Sequence, residues 1–301
     1  MEYNMYGVID IGSNTVRFLV YRYDGGRIDK VLSKKYVVGL ISYVNQDGAL
    51  SPEGIQELVD AMEEISLFHR FINLKDFFVF ATASLRGIKN TQEVLDAVKK
   101  ATGYNIDVLS GEQEASLAFS GVMSENGGNA GVVADIGGGS TEVVCFRNGE
   151  MLSVDSVRMG TLTLYNSCVA GVLPDDDEME RITQIIRQNL SGVKFPDGFK
   201  GSNAYWVGGT GRAVLKIVRE AGGDYSKGDR YDAKCLRELI DFYKNDRHDC
   251  EKLLVKFVPD RLHTFLPGVL VFSEVVRIFD VSEIITSVGG VREGYLIHKV
   301  G

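Results

Sequence analysis

The sequence is poor in the residues that disordered, fibrous and disulfide-stapled chains need. It has five prolines and four cysteines in 301 residues, against 45% hydrophobic and 25% charged residues. The cysteines lie at least 15 residues apart, so neither a C-x-x-C redox pair nor zinc-finger spacing is present. This composition indicates a globular protein with reduced core thiols, and its length allows one large or two ordinary domains.

Positive charge and long apolar runs are also scarce. The formal net charge is -8 and the pI about 5.2, which argues against a nucleic-acid-binding surface. No uncharged apolar run approaches the roughly 18 residues needed to cross a bilayer, because charges interrupt even residues 265–285. The N-terminus has no signal-peptide pattern. We therefore expect a cytoplasmic protein that binds neither nucleic acid nor a membrane.

Several common catalytic motifs are missing. The sequence has no Walker A motif, no clean G-x-G-x-x-G that opens a helix, no H-E-x-x-H and no G-x-S-x-G. These absences disfavour P-loop, Rossmann, zinc-protease and serine-hydrolase chemistry. The four histidines are scattered. Carboxylates are therefore the candidates for acid–base and metal chemistry.

The chain contains an approximate internal repeat. Residues 7–15 read Gly-Val-Ile-Asp-Ile-Gly-Ser-Asn-Thr and are followed by an apolar run and a turn at residues 24–26. Residues 131–142 read Gly-Val-Val-Ala-Asp-Ile-Gly-Gly-Gly-Ser-Thr-Glu and are followed by an apolar run and a turn at residues 148–149. In both copies a strand ends in Asp, a tight turn follows, and a second strand leads into a hairpin. We infer two related half-molecules.

Helical and extended patterns alternate along the rest of the chain, which is typical of an α/β protein. Helices are predicted to begin near residues 52, 91 and 175, and strands to cover residues 77–81, 106–109, 205–207 and 284–288. A short Gly/Asn/Ser stretch at residues 124–129 predicts the domain boundary, giving domains 1–124 and 125–301.

Four turns share one design, in which an apolar strand leads into glycines close to a hydroxyl or an arginine. They lie at residues 10–15, 135–142, 208–212 and 287–293. Because glycine has no side chain, a phosphate can approach the backbone amides closely, so we predict that these turns bind phosphate. The alternative is that the glycines only make tight turns. It is stronger for residues 208–211 than for residues 135–142, whose three consecutive glycines cost conformational entropy that ordinary hairpins avoid.

Carboxylates end the two repeated strands. Asp10 and Asp135 are suited to holding Mg²⁺ directly or through water, and Glu142 could join them. The alternative is that they bond the amides of their own turns. Another acidic group, Glu112 and Glu114, lies where a helix is predicted to begin, and acids there commonly interact with the helix dipole.

Five ordered motifs together resemble the exopolyphosphatase and guanosine pentaphosphate phosphatase family. They are Asp10-Ile-Gly-Ser-Asn-Thr15, Ala81-Thr82-x-x-x-Arg86, Ser110-Gly-x-x-Glu114-Ala115, Asp135-Ile-Gly-Gly-Gly-Ser-Thr-Glu142 and Ser287-x-Gly-Gly-x-Arg-Glu-Gly294. The resemblance runs along nearly the whole chain. It implies an α/β fold of the actin, Hsp70 and sugar kinase superfamily, with two ribonuclease H-like domains and a phosphate-binding cleft between them.

The resemblance also implies roles for particular residues. It makes Glu114 the catalytic group that activates water; Gln113 stands where many members have another glutamate. It links Asp135 and Glu142 to Mg²⁺, beside Asp10 from the strand pattern. The predicted substrate-binding residues are Gly12, Ser13, Asn14, Thr15, Arg17, Arg86, Gly137, Gly138, Gly139, Ser140, Thr141, Gly209, Thr210 and Arg292. Arginines near the motifs could line a cationic cleft, although for any one of them a surface ion pair is an equal alternative. They are Arg17, Arg86, Arg158, Arg212, Arg261 and Arg292.

The sequence therefore predicts a short-form, Mg²⁺-dependent exopolyphosphatase that releases terminal orthophosphate from linear polyphosphate. The resemblance is to the short forms, which we expect to be without the helical HD-hydrolase-like region of the long forms. Hydrolysis of guanosine pentaphosphate is an alternative that the motifs do not separate. A sugar kinase is disfavoured by Glu114, and a noncatalytic sensor of polyphosphate or an alarmone is disfavoured by the retention of that residue. The resemblance also makes a homodimer plausible.

Overall fold

The computed structural model describes residues 4–126, 128–193, 195–200, 203–220 and 226–301. The chain forms two compact units of mixed α/β structure. Unit 1 consists of Met1–Glu114 and Arg292–Gly301, and unit 2 consists of Ala115–Val291.

Unit 1 is built on a five-stranded sheet with the order β3-β2-β1-β4-β5. Strands β1, β4 and β5 are parallel, β2 pairs antiparallel with β1, and β3 pairs antiparallel with β2. The strands are β1 (Met5–Ile11), β2 (Thr15–Asp24), β3 (Arg27–Val37), β4 (Asp76–Ala81) and β5 (Asp107–Val108). The helices are α1 (Pro52–His69), α2 (Ala83–Arg86), α3 (Thr91–Thr102) and the start of α4 (Gly111–Asn126), with a 3-10 helix at Leu40–Tyr43.

Unit 2 contains a seven-stranded sheet with the order β10-β11-β12-β9-β6-β7-β8. Its strands are β6 (Ala130–Ile136), β7 (Thr141–Arg147), β8 (Glu150–Val157), β9 (Ala204–Val207), β10 (Ser226–Lys227), β11 (Arg230–Asp232) and β12 (Glu283–Thr286). Its helices are α5 (Thr161–Cys168), α6 (Asp176–Leu190), α7 (Gly209–Glu220), α8 (Lys234–Asn245), α9 (Arg247–Phe257) and α10 (Leu262–Phe279), with a 3-10 helix at Pro259–Arg261. The last helix, α11 (Val291–Val300), begins at the end of unit 2 and lies almost wholly in unit 1.

Local sequence signals set the helix ends as expected. The Ser51 side chain accepts a hydrogen bond from the Gly54 amide at 3.2 Å and caps α1, in which Pro52 is the first residue. Gly103 ends α3 in the left-handed conformation, with φ 79°. Asp175 and Glu178 form a reciprocal capping box at the start of α6. The alternating α/β pattern predicted from the sequence is confirmed.

The internal repeat is visible in the strand register. Asp10 pairs with Arg17 across β1 and β2, and Asp135 pairs with Glu142 across β6 and β7, so the two copies are offset by 125 residues. The pairing of the second strand with the third shows a register shift at the same repeat position in both copies, between Val20 and Tyr21 and between Cys145 and Phe146. The buried–exposed patterns of β1 and β6 are identical. The inferred duplication is therefore present in the backbone.

The division into units differs from the predicted boundary at residues 124/125. The predicted stretch, residues 124–129, includes residue 127, which lies outside the described residues. Helix α4 runs without a break from unit 1 into unit 2. The division falls near its start, because Ala115 and Phe119 already belong to the core cluster of the unit 2 sheet. At the other end, Tyr295 of α11 packs against Phe80, with ring centroids 4.6 Å apart, which agrees with the place of α11 in unit 1. A change in local composition could not reveal either packing contact.

The most apolar helical segment of the described chain is the core of unit 2. Pro259–Phe279 is long and apolar enough to cross a membrane by length and composition alone, but 67% of its most apolar window is buried. Within it, Phe272 stacks on Trp206 of β9 at a centroid distance of 4.0 Å. A buried core helix passes the same test as a membrane span, so this segment is weak evidence for a membrane.

Gly121 of α4 gives a direct test of the packing in unit 2. An added Cβ would overlap backbone atoms of Gly290, which cannot move as a flexible side chain can. We expect Gly121→Ala to lower the free energy of unfolding by about 1–3 kcal/mol, even after the helix-propensity gain of about 1 kcal/mol. Urea unfolding would measure it. Gly192→Ala is the control, since an added Cβ there lies 4.0 Å from the nearest atom. Equal stability of the two variants would contradict this close approach.

Candidate functional site

The turn after β6 has its carbonyl groups turned toward α5. The first amides of that helix donate to the turn: Thr161 to the Gly137 carbonyl at 2.9 Å, and Leu162 to the Gly138 carbonyl at 3.0 Å. In a trans peptide the N–H points opposite to the C=O. The amides of Gly138 and Gly139 therefore point away from α5. Two adjacent amides that face the same side form an anion-binding surface.

The turn after β1 is built in the same way. The carbonyl of Ser13 accepts from Ile41 at 3.0 Å, and the carbonyl of Asn14 accepts from Gly39 at 2.9 Å. The amides of Asn14 and Thr15 consequently point away from this segment. Each turn is closed by one bond from its first glycine, Gly12 to Thr15 in unit 1 at 3.0 Å and its counterpart in unit 2 at the same distance. The two predicted phosphate turns thus share the closing bond, while the carbonyls bound by neighbouring segments are shifted by one repeat position between the two copies.

Gly160, which sequence reasoning missed, makes the close packing of the second turn feasible. It is the N-cap of α5, and an added Cβ would overlap the backbone of Gly138 and Gly139. The only signal in the sequence is a single glycine outside the predicted motifs, and isolated glycines occur at many turns.

The predicted residues that flank the second turn are mostly buried. The hydroxyl of Thr141 donates to the Met159 carbonyl at 2.6 Å, and Thr141 is fully buried. Ser140 and Thr210 are also buried, and the methyl group of Thr210 faces Gly268. These contacts hold the backbone around the second turn in place. Whether any of these hydroxyls also binds substrate stays a prediction.

Asp135 lies beside the start of α7. An added Cβ on Gly208, whose φ is 106°, would lie 3.4 Å from the Asp135 carboxylate, so the glycine leaves room for this acid. At Gly209 an added Cβ would overlap the guanidinium group of Arg261. Of the arginines predicted near the motifs, Arg261 is thus placed directly against a glycine turn of unit 2.

Glu142 faces the same side of the sheet as Asp135, because directly opposed residues in an antiparallel pair share a face. It is 1% exposed and accepts a hydrogen bond from Ser156 at 2.8 Å. Two carboxylates opposite each other repel, and a divalent cation would stabilise the pair. Among the described residues, no group of three or more His, Cys, Asp and Glu is placed to hold a metal. Mg²⁺ often takes only one or two carboxylates, with water and phosphate as its other ligands, so the pair fits this ion.

Asp10 has a different environment from its counterpart Asp135. Its carboxylate accepts a hydrogen bond from Arg292 Nε at 2.7 Å, and it stands opposite Arg17 in the sheet. Burial disfavours the charged form of Arg292, but the charges of Asp10 and Glu293 outweigh this effect and raise the pKa of Arg292. A cation from the protein therefore binds one oxygen of Asp10, and the assignment of Asp10 to Mg²⁺ stays a prediction.

A second acidic residue of unit 1, Glu114, is held by Arg86. Arg86 Nη1 donates to Glu114 Oε2 at 2.7 Å and to the Leu109 carbonyl at 2.9 Å. Glu114 is 7% exposed, in the first turn of α4. This arrangement orients a nearly buried carboxylate. Arg86, predicted to bind substrate, lies on the predicted catalytic acid.

The ion pair of Asp10 and Arg292 makes a stability prediction. Arg292→Met should lower the free energy of unfolding by about 1–3 kcal/mol, because Asp10 loses its partner, and partial exposure keeps the cost below that of a fully buried pair. Arg27→Met is the control, since its pair with Asp29 is mostly exposed and should contribute about 0–1 kcal/mol. A double-mutant cycle with Asp10→Asn measures the coupling. Additive single effects would contradict a direct pair.

Comparisons with known proteins agree with these features. The sequence matches the Ppx/GppA phosphatase family over residues 19–301. It is 27% identical over 309 residues to exopolyphosphatase 1 of Mycobacterium bovis. This alignment covers 98% of this chain and 88% of that protein. It is 33% identical over 160 residues to a guanosine-5'-triphosphate,3'-diphosphate pyrophosphatase of Aliivibrio fischeri. This second alignment covers 53% of this chain and 32% of that protein. The match thus spans about a third of the length of this second relative.

The fold is shared with solved structures. The crystal structure of the Ppx/GppA family member from Aquifex aeolicus superposes with a TM-score of 0.81 at 25% identity, over 99% of this chain and 97% of that one. The expected actin-like α/β fold is confirmed. Because the family match extends from residue 19 to residue 301, the chain belongs to the Ppx/GppA phosphatase family.

Proposed function

We propose that the chain is a Mg²⁺-dependent exopolyphosphatase that releases the terminal orthophosphate of linear polyphosphate. The observation that carries this proposal is the buried, oriented carboxylate of Glu114 in a unit that also contains a phosphate-type turn. The similarity to an exopolyphosphatase along 98% of the chain supports polyphosphate as the substrate. The similarity to the guanosine nucleotide enzyme covers only 53% of the chain.

Glu114 would act as the general base. Its carboxylate takes a proton from a water molecule as the water oxygen attacks the terminal phosphorus. The bond from that phosphorus to the bridging oxygen breaks, and the electron pair leaves with the shortened polyphosphate. Arg86 holds Glu114 through one carboxylate oxygen, so the base is oriented before substrate arrives. Arg86 is therefore a positioning residue in this mechanism.

The glycine turns would bind the phosphoryl oxygens. Outward-facing amides, such as those of Asn14 and Gly139, donate to oxygens that gain negative charge in the transition state. Their direction is fixed by the carbonyl bonds behind them, so little reorganisation is needed during the reaction.

Asp135 and Glu142 would hold Mg²⁺, which supplies charge neutralisation to the phosphate groups when it is bound. The divergence of the repeat supports this choice. The residue opposite the strand-end aspartate is Arg17 in one copy and Glu142 in the other. Only in the second copy do two acidic residues, Asp135 and Glu142, stand opposite each other. We assign the metal to this pair rather than to Asp10, which Arg292 binds.

The direct test is phosphate release by the purified protein with Mg²⁺ from long polyphosphate, short polyphosphate, guanosine pentaphosphate and ATP, side by side. The proposal expects the highest kcat/KM on polyphosphate. A higher kcat/KM on guanosine pentaphosphate would make that nucleotide the substrate and leave the proposed hydrolysis mechanism unchanged. Binding without release from any of the four would point to a sensor and overturn the enzymatic proposal.

Glu114→Gln separates catalysis from binding. The change keeps the side-chain volume and removes the ability to accept a proton at neutral pH. We expect kcat on polyphosphate to fall by about 10²- to 10⁴-fold with KM little changed. The matched control is Glu112→Gln, an exposed acid in the same helical turn, which should keep turnover within about twofold. Near-normal turnover of Glu114→Gln would end its assignment as the base.

Asp135→Asn tests the metal assignment, and the internal repeat provides its control. Removing the charge at Asp135 should abolish both the Mg²⁺-dependent activity and any rise in melting temperature with Mg²⁺, because both report binding at this pair. Asp10→Asn alters the equivalent residue and should leave the Mg²⁺ concentration dependence unchanged while it lowers stability. An equal loss of Mg²⁺ response in both variants would contradict the choice of the second copy.

A further inference from the structure

Unit 2 contains a large cavity among the described residues that none of the predicted phosphate- or metal-binding residues lines. Its volume is about 790 Å³, and its walls come from α6, α8, α10 and the segment after α10. Cavities of roughly 300–1,000 Å³ are typical of small-molecule sites. The size is therefore that of a ligand site.

One wall of the cavity is apolar. Met179, Leu236, Ile240, Leu270 and Val276 line it. Met179 and Leu236 are almost fully buried in the unit 2 core, so this wall is held by packing on its other side. A rigid apolar wall favours a ligand with an apolar body.

Where α6 meets α10, one part of the cavity wall carries two arginines and one carboxylate, Arg187, Arg277 and Glu274. Glu274 is 6% exposed, and its two oxygens accept from Arg187 Nη2 at 2.9 Å and from Arg277 Nε at 2.7 Å. Two guanidinium groups thus share one carboxylate. Each guanidinium has five N–H donors and uses one of them in this cluster, so both can bind a further anionic oxygen.

The hydroxyl of Ser273, adjacent to this cluster in sequence, supplies an independent observation. Its Oγ is buried, has no hydrogen-bond partner and belongs to a residue that lines the cavity. A buried polar group without a partner costs free energy, and a polar atom of a ligand would remove that cost.

Acidic residues restrict the charge of the ligand. Asp177 and Glu180 line the cavity from the first half of α6, and Asp280 lines it from the end of α10. A polyanion that filled the cavity would face these carboxylates as well as the arginines. A ligand with a single anionic group avoids this repulsion.

We propose that the cavity between α6, α8 and α10 binds an organic monoanion with an apolar, ring-sized body. The anionic group lies at Arg187 and Arg277, and the body lies against Ile240 and Leu270. The site is separate from the phosphate turns and does not accept polyphosphate.

The probe for this site is 8-anilinonaphthalene-1-sulfonate, which combines aromatic rings with one sulfonate. We expect saturable fluorescence enhancement, one molecule per chain by equilibrium dialysis, and no displacement by tripolyphosphate. Ile240→Trp fills the cavity and should raise the Kd at least about tenfold. Thr183→Phe fills it from α6 and serves where the first variant fails to fold, as judged by far-UV circular dichroism.

The charge requirement has a matched control. Arg277 and Lys252 are both mostly exposed and each pairs with an acid three residues earlier on its helix, but only Arg277 lines the cavity. Arg277→Ala should raise the Kd about three- to tenfold, and Lys252→Ala should leave it within about twofold.

Several outcomes would overturn the proposal in full. They are the absence of saturable binding, displacement of the probe by tripolyphosphate, and a Kd that the cavity-filling variants leave unchanged. Equal effects of Arg277→Ala and Lys252→Ala would remove the anion from the proposal and refute it in this form.

Discussion

The planarity of the peptide group is the constraint on which the candidate site depends. In each glycine turn, neighbouring segments bind the carbonyl groups, so the N–H groups of the same peptides face the other way. The helix α5 contributes doubly in unit 2, because its first amides would otherwise lack partners and the turn carbonyls satisfy them. One set of hydrogen bonds therefore caps a helix and orients an anion-binding surface. Gly160 is the residue that lets the two backbones come close enough.

The duplication explains why two similar half-sites differ in their chemistry. The strands, the register shift and the closing bond of the turn are the same in both copies. The residue opposite the terminal aspartate is Arg17 in one copy and Glu142 in the other. A change at this single position replaces an attraction between side chains by a repulsion that favours a cation. The backbone was thus retained while the electrostatics of the copies diverged.

Helices α4 and α11 each carry a predicted site residue and each include residues of both units. Helix α4 begins with Glu114 in unit 1 and continues into the core of unit 2, and α11 begins at the edge of unit 2 with Arg292 as the first residue in unit 1. Glu125, near the end of α4, accepts hydrogen bonds from the amides of Val288 and Gly289 in unit 2. The predicted base, Glu114, thus lies in the first turn of a helix that continues into unit 2. The partner of Asp10, Arg292, lies in the first turn of a helix that begins in unit 2.

The sequence alone determined the elements and the repeat, because these depend on signals that act over a few residues. Capping at Ser51, the left-handed glycine at Gly103 and the alternation of strands with helices require no distant partner. The glycine turns and the family motifs are likewise contiguous, so candidate site residues could be predicted. Several of their roles could not. Arg86 on Glu114, Arg292 on Asp10 and the methyl group of Thr210 against Gly268 join residues far apart in the chain.

Only the tertiary structure decided how the chain is divided and which acid has a cationic partner. The composition change at residues 124–129 begins in the last turn of α4, whereas the units separate where side chains change the core they pack into, at Glu114 and Ala115. The ion pair at Asp10 and the cavity beside Glu274 likewise arise from elements that fold against each other across long stretches of sequence. Local patterns specify backbone conformation, but the partner of a charge is fixed only when packing brings distant segments together.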